Sequence, residues 1–362
     1  MKQQIVTAAL LLTALGGGFL ACALHPAQAW SLSERRHLAQ LPAVSLQTLS
    51  DGTFAEKFDA AAPDQFPLRD VLRGIKAEVQ YRILLQRDNN GVYLADGSLS
   101  RIESALNEDS VRAAGEKLNA VRDRYFPDSR VFYGVIPDKN YYLAAQNGYP
   151  HLDYDRLNTL LQETVTGMEK IDLYDCLGAE DYYRTDSHWR QECLETAAAR
   201  IAGRLGVEIT PMEDYTETRF SEFRGVYWGQ SALPLAAETL TYLEDDVLKQ
   251  CTVTHYETGQ ETGVYQPELL SGRDPYDVFL GGADALLTIT NPNAQTDREL
   301  ILFRDSFGSS LAPLLVRDYQ TVTLVDLRYI SSKILDQFLD FHGQDVLFLY
   351  SPSVYNNAAM LK

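Results

Sequence analysis

The sequence predicts an α/β protein with a mostly parallel central sheet sandwiched by helices. Residues 131–136, 300–303 and 346–350 are short, almost entirely apolar runs, as is typical of parallel strands buried on both faces. Segments with apolar residues three and four positions apart alternate with these runs, which favours right-handed crossovers between parallel strands. The length of 362 residues and the hydrophobic content of 45% suffice for a large buried core.

Residues 30–106 are predicted to form an N-terminal extension. It contains a helix over 68–85, where apolar side chains recur at helical spacing. Asn-Gly and Asp-Gly pairs at 90–91 and 96–97 flank a short apolar run and predict a hairpin-like element.

Residues 107–362 are predicted to form the main α/β domain, with an insertion over 208–297. Before the insertion we expect helices at 107–125, 153–168 and 191–205, strands at 131–136 and 171–173, and a loop at 182–188. After it we expect strands at 300–303, 321–325 and 346–350, with helices at 307–315 and 331–341. The insertion has short Tyr-, Thr- and Val-rich runs between Gly and acidic turns, which predicts a strand-rich region along one wall of the cleft.

Residues 1–29 predict a signal peptide or a membrane anchor. Lys2 is the only charged residue before the uncharged run over 5–24. An Ala-x-Ala pattern at 27–29 fits a cleavage site, whereas the length of the run is also enough for one membrane span. Residues 19–22 resemble a lipobox only loosely. Each of these alternatives makes the protein extracytoplasmic, either secreted or anchored to the membrane by this segment.

The formal charge of −18 argues against nucleic acid and against an anionic membrane surface as electrostatic partners. It is compatible with a neutral or acetylated glycan. Three cysteines lie beyond residue 29, and two of them, Cys176 and Cys193, bracket the 182–188 loop. They are either a disulfide in an oxidising compartment or free buried thiols, and the second alternative is slightly favoured.

Asp186, His188 and Ser306 form the pattern with the clearest chemical meaning. In an extended segment, side chains two residues apart project to the same face, so Asp186 can accept the Nδ1–H of His188 and orient its ring as in a nucleophilic triad. Ser306 follows a predicted strand and precedes a predicted helix, whose N–H groups can hold an oxyanion. A hydrogen-bonded loop pair and a helix-capping serine are the structural alternatives. Because both features lie at element ends of one α/β pattern, we favour the triad.

Residues 183–189, Tyr-Arg-Thr-Asp-Ser-His-Trp, resemble the signature of the DHHW family, with Ser187 in place of its first His. That family is similar to the SGNH-like domains of the alginate O-acetylation proteins AlgJ and AlgX. Further resembling segments follow in the expected order, at 32–36, 49–54, 66–70, 136–139, 305–306 and 325–329. The resemblance implies an SGNH-like (flavodoxin-like) fold and the catalytic triad Asp186, His188 and Ser306. Ordinary SGNH hydrolases have Ser first, but geometry rather than chain order defines a triad.

Several other residues are candidates for substrate binding or the oxyanion hole. Lys139 follows the 131–136 strand, so it should lie at the carboxyl edge of the sheet, as a substrate contact or as a solvated turn lysine. Phe307 and Gly282 each offer a backbone N–H, although Gly282 fits an ordinary turn slightly better.

The remaining candidates are side chains. Tyr276 resembles a family aromatic residue, and Arg184 lies beside the predicted triad in the sequence. Arg328 and Tyr329 follow the 321–325 strand, where they either face the cleft or brace the Ser306 loop. Arg304 occupies the place of the glycine in the Gly-Asp-Ser pattern of SGNH enzymes, which makes the backbone turn there hard to predict.

Asp186 and His188 are also metal-ligand residue types, but no further His or Cys cluster has metal-binding spacing, so we expect no metal and no cofactor. The resemblance implies an extracytoplasmic O-acetyltransferase or esterase of a cell-surface or exopolysaccharide. It also implies a membrane-bound O-acyltransferase as the partner that donates the acyl group. The sequence does not separate transfer from hydrolysis. The alternative is a non-catalytic glycan-binding or scaffold protein of a polysaccharide modification system, against which the intact triad pattern argues.

Overall fold

The computed structural model describes residues 2–362, apart from the side chains of residues 2, 3, 14, 15, 19 and 23. The chain divides into two compact units. The first contains the residues up to Asn90 together with Trp228–Leu235, and the second contains Gly91–Tyr227 and Ala236–Lys362. Residues 91–106, assigned above to the N-terminal extension, therefore lie in the second unit.

The first unit begins with the helix α1, Lys2–Leu24. Its stretch Gln4–Cys22 is long and apolar enough to cross a membrane. The other elements are β1 (Trp30–Ser31), β2 (Arg36–His37), α2 (Leu46–Ser50), α3 (Thr53–Asp64), α4 (Arg69–Glu78) and a π-helical turn, Val79–Ile83. The helix predicted over 68–85 is thus an α-helix only as far as Glu78.

The second unit contains most of the strands and helices of the described chain. Its strands are β3 (Val92–Ala95), β4 (Ser98–Arg101), β5 (Val131–Val135), β6 (Glu169–Ile171), β7 (Thr216–Phe223), β8 (Glu238–Glu244), β9 (Thr252–His255), β10 (Gln260–Thr262), β11 (Leu286–Thr290), β12 (Glu299–Arg304), β13 (Thr321–Val325) and β14 (Asp345–Tyr350). Its α-helices are α5 (Glu108–Tyr125), α6 (Lys139–Leu143), α7 (Tyr154–Thr164), α8 (Glu195–Leu205), α9 (Val226–Ser231, which continues into the first unit), α10 (Gly308–Leu311) and α11 (Pro352–Tyr355). Short 3-10 helices include Gln191–Cys193, Pro275–Val278, Ala312–Leu315 and Ser332–Gln337.

The central sheet has the strand order β10-β9-β11-β13-β12-β14-β5-β6. The strands from β13 to β6 are parallel to one another. Alternate residues of β12 enter different cores: Leu300 and Leu302 pack into one, and Ile301 and Phe303 pack into the other. Both faces are therefore apolar and covered, which confirms the predicted α/β fold with a mostly parallel sheet sandwiched by helices.

The region over 208–297 is strand-rich, as expected, but it is not one separate element. β7 and β8 pair with each other as an antiparallel ribbon. β9, β10 and β11 instead extend the central sheet in antiparallel fashion, with β11 paired to β13. Among the strands of this region, only those of the β7–β8 ribbon do not pair with the central sheet.

The predicted hairpin is also present. β3 and β4 pair antiparallel, and the two residues between them, Asp96 and Gly97, both have positive φ, at 48° and 77°. Two successive positive φ angles match a type I′ turn, in which an Asp-Gly pair is favoured.

Candidate active site

Ser306 lies in a tight turn between the end of β12 and the start of α10. The carboxylate of Asp305 holds this turn from inside the protein. Its Oδ1 accepts a hydrogen bond from the Phe307 N–H (3.1 Å), and its Oδ2 accepts one from the Ser351 N–H just beyond β14 (2.8 Å). Asp305 therefore ties the Ser306 turn to the neighbouring strand of the sheet.

The glycine that this turn needs lies after the serine rather than before it. A Cβ on Gly308 would come within 2.6 Å of the Cβ of Arg304, which is too close for a side chain. Arg304 itself is fully buried, with Nη1 at 3.4 Å from the Asp305 carbonyl oxygen and at 3.8 Å from Asp326 Oδ2. Burial lowers the pKa of Arg304. SGNH enzymes have a glycine directly before the Asp, where this chain has Arg304. Here the turn instead requires a glycine at position 308, two residues after Ser306.

Asp186 and His188 lie in a bent loop closed by a bridge between Tyr182 and Trp189. The loop is not the extended segment that the sequence analysis assumed. The two side chains meet because Asp186 folds back, so that its Oδ1 accepts the backbone N–H of His188 at 3.1 Å. Its second oxygen, Oδ2, accepts the N–H of Val226 at 2.7 Å. The fully buried carboxylate is held at both oxygens.

The structure brings the three predicted triad residues into one hydrogen-bonded chain. His188 Nδ1 lies 2.6 Å from Asp186 Oδ1, and His188 Nε2 lies 2.7 Å from Ser306 Oγ. The Asp186 carboxylate can only accept, so the Nδ1 atom carries the proton and Nε2 is free to accept the Ser306 hydroxyl. This is the order of donors and acceptors that a nucleophile, its base and an orienting carboxylate require.

The imidazole plane of His188 is fixed by aromatic rings. Tyr276 stacks on it, with ring centroids 3.9 Å apart and planes 10° apart, and the Phe307 ring lies at 4.9 Å. The Tyr276 hydroxyl and the Trp189 Nε1–H both donate to Ser310 Oγ, at 2.8 and 2.9 Å. Tyr276 is thus brought to the site, where it packs against the base and is itself held by a buried hydrogen bond.

Lys139 is near the site but is not exposed to a substrate. It is 2% exposed, and its Nζ donates to the carbonyl oxygens of Asp186 (2.6 Å) and Tyr183 (2.7 Å). The ring of Tyr227 lies 5.3 Å from the ammonium group. Burial lowers the pKa of Lys139 to about 7, against the opposing influence of Asp186 and Glu238. Both interpretations offered by the sequence, substrate contact and solvated turn lysine, are wrong, because Lys139 supports the backbone of the loop from inside.

Three residues that the sequence analysis missed also hold this loop. Glu238 at the start of β8 accepts the N–H groups of Arg184 and Thr185, each at 2.7 Å, and also the Thr185 hydroxyl. Thr185 Oγ1 in turn accepts the N–H of Gly225 at 2.9 Å. A Cβ on Gly225 would lie 2.2 Å from the Cβ of Asp186. A lone glutamate, threonine or glycine has no sequence signal for such a role, because each depends on a contact distant along the chain.

The other candidate residues lie further from the triad. The Arg184 side chain is 53% exposed, with Nε 3.9 Å from Glu238 Oε2. Gly282 has φ +95° and donates its N–H to the carbonyl oxygen of Phe279 (3.3 Å), so that this group is already used within a turn. Within residues 2–362, neither makes a hydrogen bond, ion pair or ring contact with Ser306 or His188.

Arg328 and Tyr329 lie beyond β13. Arg328 forms a bidentate pair with the buried Asp326, at 2.9 and 2.6 Å, and the same carboxylate faces Arg304. Tyr329 is 50% exposed, with its ring 5.4 Å from the Arg328 guanidinium. This arrangement matches the alternative in which Arg328 braces the Ser306 loop. Asp326, which pairs with Arg328, also faces the buried guanidinium group of Arg304 at the end of β12.

Most backbone N–H groups near Ser306 already have acceptors, which limits the donors for an oxyanion. The Phe307 N–H is directed to Asp305 Oδ1. The N–H of Ser306 has no acceptor in the part of the chain that the structure describes, so it is the available donor next to the hydroxyl. The N–H groups of Gly308 and Ser309 already donate to the carbonyl oxygens of Asp305 (3.1 Å) and Ser306 (3.2 Å).

The cysteines that bracket the loop are free thiols in this structure. Cys176 is buried, and the sulfur of Cys193 accepts a hydrogen bond from Arg190 Nη2 at 2.9 Å. Burial raises the pKa of both thiols.

Solved structures share this fold. A DHHW family protein from Eubacterium siraeum superimposes with a TM-score of 0.63 at 21% sequence identity, covering 75% of this chain and 94% of that one. PatB1 from Bacillus cereus superimposes with a TM-score of 0.59 at 17% identity, covering 73% of this chain and 96% of that one. PatB1 has also been solved with a sulfonyl adduct, and that structure gives a TM-score of 0.59 at 19% identity, covering 73% of this chain and 95% of that one.

These likenesses confirm the predicted α/β fold, and they agree with the DHHW resemblance of residues 183–189 at the level of the fold. No protein-family model and no curated protein sequence matches the chain.

Proposed function

We propose that this protein is an extracytoplasmic SGNH-like O-acetyltransferase or acetylesterase that acts on a cell-surface polysaccharide. The observation that carries the proposal is the hydrogen-bonded chain from Asp186 through His188 to Ser306, with spacings of 2.6 and 2.7 Å. Isolated Asp–His pairs are common in loops, but a serine hydroxyl on the free nitrogen of the ring is the arrangement of an activated nucleophile. The DHHW resemblance and the shared fold add support.

In the first half of the reaction, Ser306 Oγ attacks the carbonyl carbon of an acetyl donor while His188 Nε2 takes the hydroxyl proton. Asp186 stabilises the imidazolium that forms, without taking its proton. The carbonyl π electrons move to oxygen, and we assign the Ser306 N–H as the donor that stabilises that oxyanion. When the carbonyl re-forms, the bond to the leaving group breaks, and the leaving group receives the proton from His188. The result is an acetyl ester on Ser306.

In the second half, His188 Nε2 takes a proton from the acceptor hydroxyl, whose oxygen attacks the acetyl-enzyme. Collapse of the second tetrahedral intermediate transfers the acetyl group to the acceptor and returns the proton to Ser306. A sugar hydroxyl as acceptor makes the protein a transferase, and water makes it an esterase. The family resemblance favours transfer, with a membrane-bound O-acyltransferase as the donor. The apolar helix α1 is consistent with a place at or beyond the membrane.

The test is labelling of Ser306 together with ester turnover. We would treat the full chain in detergent micelles with phenylmethylsulfonyl fluoride, locate the adduct by peptide mass spectrometry, and follow p-nitrophenyl acetate hydrolysis. We expect an adduct on Ser306, parallel loss of turnover, and neither adduct nor turnover in Ser306→Ala. Ser353→Ala, which changes an exposed serine after β14, is the matched control and should retain both.

Full turnover in Ser306→Ala, or labelling of a different residue at the same rate, would remove Ser306 from the mechanism. The Ser306 hydroxyl bonds to His188 Nε2, and losing one such hydrogen bond costs about 1 kcal/mol, so the variant should remain folded and its thermal unfolding should stay close to that of the parent protein.

A further inference from the structure

A pocket of about 470 Å³ lies in the second unit, beside β6 and the first turns of α7. Its wall includes the aromatic side chains of Tyr141, Tyr154 and Tyr174 and the polar side chains of Asn158, Lys170 and Asp172. We call it the tyrosine pocket. None of its residues belongs to the site described above.

The rings of the tyrosine pocket form one packed group. Tyr141 packs edge-on against Tyr154 and Tyr174, with ring centroids 5.0 and 4.7 Å apart, and it is nevertheless 38% exposed. The Tyr154 hydroxyl donates to Asp138 Oδ1 at 2.6 Å, which fixes that ring. Tyr141 is therefore a partly exposed ring on a rigid support, and such rings suit the apolar face of a pyranose sugar because little side-chain entropy is lost on binding.

The pocket wall also contains two polar atoms that lack partners. Tyr174 Oη and Asn158 Oδ1 are buried, and neither has a hydrogen-bond partner among the described residues outside this pair. Burial raises the pKa of Tyr174, and the Asn158 side chain, within hydrogen-bonding reach of its hydroxyl, opposes that shift. Buried polar atoms without partners are uncommon in native proteins, because leaving such an atom unpaired costs stability. One hydroxyl group can satisfy both atoms, since it donates to the Asn158 oxygen and accepts from Tyr174.

The pocket lies at the same edge of the sheet as Ser306. Asp172 and Tyr174 follow β6, and Ser306 follows β12, so each lies beyond the carboxyl end of its strand. β6 and β12 are separated by β14 and β5 in the sheet. At about 4.8 Å per strand, the two positions are roughly 14 Å apart along the edge. An oligosaccharide of a few sugar units can span that distance.

Charge indicates which glycans fit. Residues 91–362 contain 42 Asp and Glu against 23 Lys and Arg, and the pocket wall has the carboxylates of Asp155 and Asp172 against the single Lys170. A polyuronate would bring further negative charge to this surface, whereas a neutral polyhydroxyl chain would not.

We propose that the tyrosine pocket is a binding subsite for the acceptor polysaccharide, and that it takes a neutral pyranose glycan rather than a polyuronate. The proposal rests on the proposed function, because it assigns this pocket to the acceptor chain. Tyr141 supplies the ring that packs on one sugar, and Asn158 and Tyr174 bind its hydroxyl groups.

The experiment is a calorimetric titration of the full chain carrying Ser306→Ala, so that no turnover interferes. Neutral hexasaccharides, namely cellohexaose, maltohexaose and chitohexaose, are compared with hexamannuronate. We expect at least one neutral hexasaccharide to bind and hexamannuronate to bind more weakly. Tyr141→Ala and Asn158→Ala should each weaken binding about tenfold or more, that is by about 1.4 kcal/mol or more, since each removes a central contact. Tyr141→Phe should retain binding, because it keeps the ring.

Tyr256→Ala is the matched control, since Tyr256 is also 38% exposed but lies beside β9. It should bind like the parent. Tighter binding of hexamannuronate, absence of binding by all three neutral hexasaccharides, or unchanged binding in both Tyr141→Ala and Asn158→Ala would overturn the proposal. An inert Ser306 with intact binding would instead refute only the catalytic proposal, and labelled Ser306 without glycan binding would refute only the subsite.

Discussion

The ammonium group of Lys139 lies 2.6 Å from the carbonyl oxygen of Asp186, so a buried cation holds the backbone of the residue that orients the proposed base. Lys139 touches no reacting atom and is a positioning residue. Its removal leaves two buried carbonyl groups, those of Tyr183 and Asp186, without their donor. We expect Lys139→Met to reduce p-nitrophenyl acetate turnover and stability together, and Lys57→Met, which changes an exposed lysine of α3, to alter neither.

The pKa of Lys139 gives a second prediction. Burial lowers it from 10.5 to about 7 in the folded protein. Between these two values the unfolded chain binds more protons than the folded one, so the free energy of unfolding should rise with pH above about 7, by at most about 1.4 kcal/mol per pH unit. Below about pH 7 Lys139 is protonated in both states, so its titration no longer changes the free energy of unfolding and the full cost of burying the charged group remains. Urea unfolding at pH 6, 7, 8 and 9 should show a rise in the difference between the parent and Lys139→Met. A constant difference across that range would contradict the assignment.

Asp186→Asn tests the orienting carboxylate. An amide at this position can donate to Nδ1 and so favour the imidazole tautomer that cannot accept the Ser306 proton. We expect turnover to fall by about 10⁴-fold, as for the equivalent change in serine proteases, with little effect on folding. Asp128→Asn, at an exposed turn, serves as the control. Retention of most activity in Asp186→Asn would mean that the pair is structural.

Gly225→Ala tests the packing behind Asp186. The new methyl group would lie 2.2 to 2.5 Å from the Cβ, Cα and backbone N of Asp186, so the loop must shift. We expect a large loss of turnover and a lower melting temperature. Gly203→Ala in α8 has open space within 4 Å and should leave turnover unchanged, with stability equal or slightly higher. Similar behaviour of the two variants would show that the contact with Asp186 is unimportant.

The N-terminal helix predicts where the protein is found. Cell fractionation should recover it in the membrane or outside the cytoplasm, because Gln4–Cys22 is uncharged and of spanning length. N-terminal sequencing then separates the two alternatives: a chain that begins at Trp30 has lost a signal peptide, and an intact Met1 marks an anchor. Full-length soluble protein in the cytoplasm would contradict both alternatives and the surface-glycan substrate.

The parallel part of the sheet is predictable from the sequence because its signals are local. β5, β12 and β14 each contain a run of four or more apolar residues, and such runs identify strands buried on both faces. The helix predicted over 331–341 is the 3-10 helix Ser332–Gln337 in the structure. Apolar residues three and four positions apart fit the start of either kind of helix, so periodicity does not separate them.

The site was predictable only in part, because only some of its contacts leave a local signal in the sequence. Asp186, His188 and Ser306 have residue types and spacing that point to one chemistry. Lys139 and Glu238 hold the loop by bonding to backbone groups, and a bond to backbone places no demand on the identity of its partner. Such contacts leave no pattern in a single sequence. The same holds for β9, β10 and β11, because they join the central sheet through the pairing of β11 with β13 and of β9 with β11.

The separation of 118 positions between His188 and Ser306 affects when the proposed activity can arise. Contacts between residues so far apart in the chain form late, after most of the loop-closure entropy has been lost. In a chain that is still being synthesised, or that is being threaded unfolded through an export channel, His188 and Ser306 are not yet held together. On the proposed function, the nascent protein is inert toward the acetyl thioesters of the cytoplasm. Its reactivity begins only where it folds, without any need for an inhibitor or a propeptide.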